Sequence, residues 1–232
     1  MKTALITGAN RGIGLEFCRQ YAAEGWRIIA CTRHLEKSGA LNTLAAGHPE
    51  HVTVHALDVA DHTQIEGLAQ SSSGEPIDLI LNNAGIYTGS RAGAFDSIDY
   101  EAWAHEFRVN TMATLKMAQA FKPHVAGSSK KTIVTISSKM GSIAENDSGG
   151  SYLYRSSKVA VNMVIKSLAI DLNPAGIIAV VMHPGWVQTD MGGKKALIST
   201  AKSVSGMRHV ISGLALTDSG KFIAYDGQPI PW

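Results

Sequence analysis

Short apolar runs alternate with amphipathic stretches along almost the whole chain. The runs are rich in β-branched residues and end at glycine or at polar turns, which predicts buried strands. Between them, apolar residues recur every three to four positions, as at Ile13, Phe17 and Tyr21, the spacing of a helix with one buried face. Seven strands are predicted in this way, at 3–8, 26–32, 52–59, 77–85, 131–138, 177–185 and 221–227.

Helices are predicted in most of the segments between these strands. The strands are almost uniformly apolar, which is typical of a parallel sheet that is covered on both faces. Right-handed crossovers then give a doubly wound α/β fold in one domain that spans residues 1–232. The helices are expected at 12–25, 36–46, 61–71, 99–126, 152–172 and 203–216, with loops at 71–76, 89–94 and 146–150.

Composition and charge mainly exclude classes of partner and site. The 232 residues carry a formal net charge of +2, so neither nucleic acid nor an anionic membrane is expected as a partner. No run approaches the roughly 18 apolar residues of a membrane span, and the short apolar run after Lys2 is no signal sequence, so we expect a cytoplasmic protein. Cys18 and Cys31 are predicted to be small buried hydrophobes, and the nine scattered histidines indicate no metal site.

The stretch TGANRGIG (7–14) lies where the first strand leads into the first helix. Glycine permits a tight turn and lets the backbone approach a pyrophosphate, while the helix N-terminus offers free N–H groups to that anion. A purely structural turn is the alternative, and the position between strand and helix favours a dinucleotide turn. Its candidate binding residues are Gly8, Asn10, Arg11, Gly12, Ile13 and Gly14.

The stretch YRSSK (154–158) places Tyr154 and Lys158 one helical turn apart on the same face. The pair could be an ordinary solvated helix face. It could also be catalytic, because a free tyrosine titrates near about 10 and a neighbouring ammonium would favour the tyrosinate. The pair alone leaves both interpretations open.

Four motifs follow one another in an order that resembles the short-chain dehydrogenase/reductase superfamily: TGANRGIG, NNAG (82–85), YRSSK and HPGWVQTD (183–190). The resemblance covers essentially the whole chain. HPGWVQTDMGG and the closing GKFIAYDGQPIPW further resemble the C-factor, sniffer and carbonyl-reductase-like group. The resemblance implies a Rossmann-type fold, with hydride transfer between a nicotinamide cofactor and a small carbonyl or alcohol substrate. It also implies a homodimer or homotetramer built on the helices at 99–126 and 152–172.

The resemblance assigns roles to four residues. Tyr154 would be the general acid/base, helped by Lys158 and by the positive charge of the oxidised nicotinamide, and Lys158 would also hydrogen-bond the nicotinamide ribose. Ser138 would bind the substrate carbonyl; because the gap to Tyr154 is wider than usual in the family, Ser142 is the alternative. Asn110 would interrupt the long helix at 99–126 and anchor a water for proton relay to the lysine, although it could be an ordinary polar helix residue. Tyr152 is interpreted as a pocket or packing residue.

The second predicted strand ends in ACTRH, with Thr32 and Arg33 where an NAD-binding fold would place a carboxylate. Together with Arg11, the only other evident cation in the two segments concerned, Arg33 could bind a 2′-phosphate, so NADP(H) is the expected cofactor. Both could instead be surface arginines. The resemblance adds Asp58 and Val59 beside the adenine, Asn82, Ala84 and Gly85 beside the ribose, and Pro184, Gly185, Val187 and Thr189 at the nicotinamide end, with Asn83 in a structural role.

The substrate side is expected in segments 86–95, 140–150 and 191–203, with Gly192 and Gly193 as hinges of a lid. The leading hypothesis is an NADPH-dependent carbonyl reductase or alcohol dehydrogenase. A nucleotide-sugar epimerase would need a larger substrate domain, and an enoyl reductase would place the tyrosine and lysine further apart. A nucleotide-binding signalling or regulatory protein of the C-factor type is the alternative from another class.

Overall fold

The structure is a computed structural model that describes residues 1–89 and 95–232. Most of the predicted loop at 89–94 and part of the segment 86–95 lie outside the described residues. Seven parallel strands form one sheet in the order β3-β2-β1-β4-β5-β6-β7, which confirms the predicted fold class. The strands are β1 (Thr3–Thr7), β2 (Arg27–Thr32), β3 (Val52–Ala56), β4 (Leu79–Asn82), β5 (Thr132–Ile136), β6 (Ile178–His183) and β7 (Phe222–Ala224).

Helices cover both faces of the sheet, and each face has its own apolar core. Neighbouring residues of β1 point to opposite sides, so Leu5 joins one core while Ala4 and Ile6 join the other. Helices α3, α5 and α6 contribute to the first core and α1, α2 and α7 to the second. The helices are α1 (Gly12–Ala23), α2 (Gly39–Gly47), α3 (His62–Ser71), α4 (Tyr100–Phe107), α5 (Ala113–Ala126), α6 (Tyr152–Asp171) and α7 (Thr200–Gly213).

The strand order places a crevice at the centre of the sheet. The chain builds β1, β2 and β3 towards one edge and then returns to add β4 on the other side of β1. The connections that leave β1 and β4 therefore diverge, and a crevice opens between the carboxyl ends of these two strands. The glycine turn follows β1 and the NNAG motif begins with the last residue of β4, so both motifs meet at this crevice.

The long helix predicted at 99–126 is interrupted. Helices α4 and α5 are joined by a π-helical turn at Arg108–Met112, which contains Asn110. The Asn110 side chain bonds the backbone of Ile86 and the Ser157 hydroxyl, so inward hydrogen bonds accompany the extra residue in the turn. Apolar periodicity alone cannot reveal one inserted residue, but the family resemblance placed an interruption at Asn110, and the structure has the π-helical turn there.

The last helix was predicted at 203–216 and lies three residues earlier, at Thr200–Gly213. Ser199 caps its first turn by accepting a hydrogen bond from the Lys202 N–H, a start signal that the prediction missed. Helix α2 likewise begins at Gly39 rather than 36, because residues 35–37 form a separate 3₁₀ turn. The predicted strands 52–59 and 77–85 are shorter than expected, since their last residues belong to the loops that line the crevice.

Candidate active site

The glycine turn needs glycine for two different physical reasons. Gly8 and Gly12 have φ values of +65° and +54°, a backbone conformation that side chains disfavour. Gly14 has ordinary torsion angles, but a Cβ there would overlap the Gly8 carbonyl oxygen and crowd the Asn83 amide. The turn therefore brings the N-terminus of α1 close to β1, with its free N–H groups at the crevice.

Asn83 joins the carboxyl ends of β1 and β4. Its Nδ2 donates to the carbonyl oxygens of Thr7, at 2.9 Å, and Gly8, at 3.2 Å. The Thr7 hydroxyl in turn accepts the backbone N–H groups of Asn83 and Ala84, each at 3.0 Å. These four bonds hold the glycine turn against the NNAG motif, which is the structural role expected for Asn83.

A cleft of about 790 Å³ occupies the crevice and extends along the carboxyl ends of the strands. Its volume lies within the range of small-molecule and cofactor sites. Most of the predicted binding residues are in its wall, although they come from six separate segments of the chain. They are Gly8, Asn10, Arg11, Gly12, Ile13, Thr32, Arg33, Asp58, Val59, Ala84, Gly85, Tyr154, Lys158, Pro184 and Thr189.

Six of the predicted residues do not line this cleft. Asn82 is buried behind it and donates to the Thr135 hydroxyl at 3.3 Å, and Val187 is buried as well. Gly185 has a φ of +83°, and a Cβ there would come within 2.6 Å of Ile198. These three residues pack behind the residues that line the cleft. Direct contacts between them and a cofactor stay predictions. The other three are Gly14, Asn110 and Ser138.

The cleft also has cations outside the two segments that carry Arg11 and Arg33. Lys37, in the 3₁₀ turn after β2, and Arg19, in α1, also line it. Arg11 forms an ion pair with Asp190, so part of its charge is already matched. Lys37 could have been found by extending the search one helical turn beyond Arg33. Other lining residues that the sequence analysis missed include His34, Leu57, Ile136 and Gln188, whereas Met191 and Thr200 belong to the segment 191–203 expected on the substrate side.

Tyr154 and Lys158 share one buried face of α6. Their exposed fractions are 9% and 5%, which excludes the interpretation as a solvated surface pair. The Lys158 Nζ lies 5.6 Å from the centre of the Tyr154 ring and donates to the Ile136 carbonyl oxygen at 3.0 Å. The edge of the Tyr87 ring packs on Tyr154 with 5.1 Å between centroids, and the Tyr154 hydroxyl faces the Met191 sulfur at 3.9 Å.

Burial controls the protonation of this pair. It raises the pKa of Tyr154 above its ordinary value, and a hydrogen bond with Ser138 only partly offsets this. Burial also lowers the pKa of Lys158 from 10.5 to about 8, against the opposing effect of the Glu106 carboxylate. The sequence analysis expected the lysine to favour the tyrosinate. In the protein alone burial outweighs that effect, and Tyr154 is a neutral phenol that can donate a proton.

The two candidate serines are in different surroundings. Ser138 ends the β5 connection, accepts the Met140 N–H at 3.1 Å and hydrogen-bonds Tyr154. Ser142 instead donates to the Pro231 carbonyl oxygen at 2.6 Å, so its hydroxyl is engaged by the C-terminal segment. The geometry therefore brings Ser138 to the tyrosine and leaves Ser142 fixing the chain end. Tyr152 is exposed on α6, with its ring 6.4 Å from that of Phe95.

Asn110 is buried where the π-helical turn meets the loop after β4. Its Oδ1 accepts the Ile86 N–H at 2.9 Å, and its Nδ2 donates to the Ile86 carbonyl at 2.9 Å and the Ser157 hydroxyl at 3.0 Å. A Cβ on Gly85 would lie 3.3 Å from the Asn110 Oδ1 and 3.5 Å from the Lys158 Nζ. Asn110 thus fixes this loop immediately beside the lysine.

Glu106 is a charged residue of this region that the sequence analysis missed. It is fully buried, and its Oε1 accepts the Thr88 N–H at 2.6 Å and the Thr88 hydroxyl. Its Oε2 has no hydrogen-bond partner in residues 1–89 and 95–232. The only feature of the sequence that could have pointed to Glu106 is its position one helical turn before Asn110.

The predicted lid hinge is only partly possible. Gly193 has a φ of +74° and room around it, as a hinge requires. Gly192 is closely packed instead, because a Cβ there would overlap the Val187 carbonyl oxygen, and its N–H bonds the Thr189 hydroxyl at 3.1 Å. The expectation of two hinge glycines is therefore wrong for Gly192.

Comparison with known proteins identifies the family. The family model described as short chain dehydrogenase matches residues 2–197. The chain belongs to the short-chain dehydrogenase family. C-signal of Myxococcus xanthus is 41% identical over 157 residues, which cover 68% of this chain and 93% of that protein.

Solved structures of this family superpose closely on the chain. The carbonyl reductase Sniffer of D. melanogaster has a TM-score of 0.93 at 30% identity, with complete coverage of both chains. The NADPH-bound carbonyl reductase from chicken fatty liver also has a TM-score of 0.93, at 33% identity, over 100% of this chain and 99% of the other. The resemblance to the C-factor, sniffer and carbonyl-reductase-like group is confirmed.

The described residues, 1–89 and 95–232, lack two kinds of feature. They contain no group of three His, Cys, Asp or Glu side chains placed to hold a metal ion. None of the helices found in 1–89 and 95–232 combines the length and apolar character needed to span a bilayer.

Proposed function

We propose that this short-chain dehydrogenase interconverts a small carbonyl compound and an alcohol with NADP(H), and that Tyr154 is the general acid/base. The observation that carries the proposal is the buried Tyr154, which lines the same cleft as Lys158 and the glycine turn and interacts with Ser138 beside that cleft. A dinucleotide turn and a proton donor that share one cleft suit hydride transfer coupled to proton transfer.

The cleft fits a phosphorylated dinucleotide. Gly8 and Gly12 line the cleft at the N-terminus of α1, where a pyrophosphate can approach the backbone, and Arg33 follows β2 where an NAD site would carry an acidic residue, with Lys37 one turn later. The carbonyl reductase from chicken fatty liver, whose structure contains NADPH, supports the same cofactor. NADPH would be held by these residues and by Lys158, Pro184 and Thr189, and it would supply hydride to the carbonyl carbon.

The protein's own groups would act on the carbonyl oxygen. The Ser138 hydroxyl and the Tyr154 hydroxyl would both donate to this oxygen, and Tyr154 would then transfer its proton as the alcohol forms. A raised tyrosine pKa keeps the phenol protonated at neutral pH, which suits the reductive direction. The Lys158 ammonium would stabilise the tyrosinate that remains, and Asn110 would hold the loop and a water through which the proton is replaced.

The surroundings of Tyr154 favour an apolar substrate. Tyr87 and Met191 both contact the tyrosine and contribute carbon and sulfur surface. Trp186 is half exposed near the same segment and donates from its Nε1 to the Gly192 carbonyl at 2.8 Å. A small aromatic or aliphatic aldehyde or ketone could pack against these side chains with only its oxygen at the polar residues.

The first experiment is an activity screen. We expect the purified protein to oxidise NADPH in the presence of at least one member of a panel of aldehydes, ketones and quinones. Absorbance at the NADPH band measures the rate, and the same panel without protein is the control. No turnover with any carbonyl, despite tight NADPH binding by calorimetry, would contradict the enzymatic proposal.

That outcome would favour a second candidate, a nucleotide-binding signalling or regulatory protein. Its support is the 41% identity to C-signal. The two candidates share the cofactor cleft and differ in whether Tyr154 reaches a substrate. We further propose a cytoplasmic homodimer or homotetramer, which cell fractionation and sedimentation would test.

A further inference from the structure

A second cavity, of about 390 Å³, opens at the end of the sheet opposite the cofactor cleft. Lys2, Trp26 and Lys130 line it from positions just before β1, β2 and β5, and Arg208 lines it from α7. Because the strands are parallel, these positions lie at their amino ends, whereas the cleft lies at their carboxyl ends. The two cavities have no lining residue in common.

The wall of this cavity carries an excess of positive charge. It contains three cations, Lys2, Lys130 and Arg208, and one carboxylate, Glu24. Glu24 is already paired with Arg208. Within residues 1–89 and 95–232, neither lysine ammonium forms an ion pair with a carboxylate, and the Lys2 Nζ lies over the Trp26 ring at 5.4 Å.

The nearby Asp78 does not compensate this charge by direct pairing. Its Oδ2 accepts the Thr3 N–H at 2.9 Å, and its Oδ1 accepts the Ser129 hydroxyl at 2.9 Å and the Lys130 N–H at 3.3 Å. Its hydrogen bonds thus go to backbone groups and a hydroxyl. The Lys130 ammonium is left half buried with another lysine near it.

One feature of the wall is unfavourable without a bound anion. Burial and then repulsion from Lys2 lower the pKa of Lys130, with Asp78 opposing. A partly desolvated ammonium of this kind costs free energy unless an acceptor reaches it. Arg208 is instead held by Gln20, by Glu24 and by stacking at 4.7 Å on Tyr21, and its buried Nε is closed to a ligand in the cavity.

We propose that this cavity is a binding site for a small dianionic oxyanion, distinct from the cofactor cleft. Two ammonium groups without carboxylate partners match two negative charges, and charge-assisted bonds to them are among the stronger polar contacts. The volume exceeds that of a phosphate group, so a short carbon body fits beside Trp26 and Ile211. The ligand class is therefore a small phosphate ester or a dicarboxylate.

The test is calorimetry on protein saturated with NADPH, so that the cofactor cleft cannot take up the probe. Inorganic phosphate, glycerol 3-phosphate and malonate are titrated at low ionic strength, because salt screens such contacts. We expect saturable binding of at least one probe with a stoichiometry of one. The probe that binds most tightly identifies the class as phosphate, phosphate ester or dicarboxylate.

Matched variants locate the binding. Lys2→Met and Lys130→Met should each weaken the best probe about tenfold or more, since each removes a charged partner. Lys131→Met is the control: Lys131 neighbours Lys130, does not line the cavity, and donates to the Ala175 carbonyl at 3.5 Å. It should leave the affinity within about twofold. Unchanged NADPH affinity shows that each variant is folded.

Two results would overturn the proposal. One is the absence of saturable binding of all three probes to the NADPH complex. The other is an equal loss of affinity in Lys131→Met and Lys130→Met, because that pattern belongs to diffuse surface charge rather than to this cavity.

Discussion

At the scale of single residues, the Tyr154–Lys158 pair shows how burial changes the meaning of a sequence motif. The spacing predicts that the two side chains share a face, and they do. It cannot predict that the Ile136 carbonyl oxygen accepts a hydrogen bond from the Lys158 ammonium. Nor can it predict that burial lowers the pKa of Lys158 while raising that of Tyr154. Those effects depend on β5 and on Glu106, which only the fold brings to α6.

The lowered pKa of Lys158 predicts a pH dependence of stability. The folded protein releases the Lys158 proton near pH 8 and the unfolded chain near 10.5, so the unfolded state binds more protons between these values. The free energy of unfolding should therefore rise with pH in this window, by about 1 kcal/mol per unit from this group. Urea unfolding of the wild type and Lys158→Met between pH 8 and 9.5 isolates the effect, and a constant difference between the two proteins would contradict it.

We also expect single residues to decide the preference for NADPH over NADH. Arg33 and Lys37 follow β2, whereas the guanidinium of Arg11 is shared with Asp190. Arg33→Asp should lower the kcat/KM ratio of NADPH over NADH by at least about tenfold to a hundredfold, because it removes one cation and repels the phosphate. Arg27→Ala, at the opposite end of β2, is the control. A wild-type preference for NADH would show that the interpretation of ACTRH is wrong.

At the scale of secondary-structure elements, the sequence predicts the type and order of the strands and long helices better than their ends. Apolar runs mark most strands of the sheet because both faces are buried there, whereas the edge strand β3 is only partly buried. Helix ends depend on single side chains, such as Ser199 before α7, and the π-helical turn depends on Asn110 reaching Ile86. The apolar pattern gives no sign of this interruption, which the sequence analysis expected at Asn110 only from the family resemblance.

Asn110 should therefore be important for stability. Asn110→Ala leaves the Ile86 N–H, the Ile86 carbonyl and the Ser157 hydroxyl without this partner, and we expect a loss of about 2–4 kcal/mol in the free energy of unfolding. Asn42→Ala, which removes one exposed bond to the Leu35 carbonyl, should change it by less than about 0.5 kcal/mol. Equal effects in urea unfolding would show that the buried bonds contribute little.

At the scale of the whole molecule, the cofactor cleft could be predicted in its centre but not at its edges. The motifs at β1, β4 and α6 carry recognisable spacing, and the doubly wound topology brings them together. Arg19, Lys37 and Ile136 carry no such pattern. They reach the cleft because the fold carries unrelated segments there, and a single sequence does not show which segments these are.

The outer surface of the long helices supports the proposed homo-oligomer. Some apolar residues of these helices, such as Met117 and Val161, belong to the core and are unavailable for an interface. Met163 and Ile170 remain 66% and 65% exposed on α6, and Met112 is exposed beside α5. Apolar groups grouped on a surface often mark an interface.

We expect sedimentation of the wild type at micromolar concentration to show a dimer or tetramer. Met163→Glu should shift it towards the monomer, because burying an unpaired carboxylate is costly. Leu35→Glu, on a distant exposed turn, should not. A wild type that sediments only as a monomer would refute the assembly.

The most direct test of the proposed mechanism compares Tyr154→Phe with Tyr152→Phe, using NADPH and the best carbonyl from the screen. Removal of the Tyr154 hydroxyl should lower kcat by about 10²–10⁴-fold while NADPH binds with unchanged affinity, because only the proton donor is lost. Removal of the exposed Tyr152 hydroxyl should change kcat by less than about threefold. Near-normal turnover by Tyr154→Phe would contradict the assignment of Tyr154 as the acid.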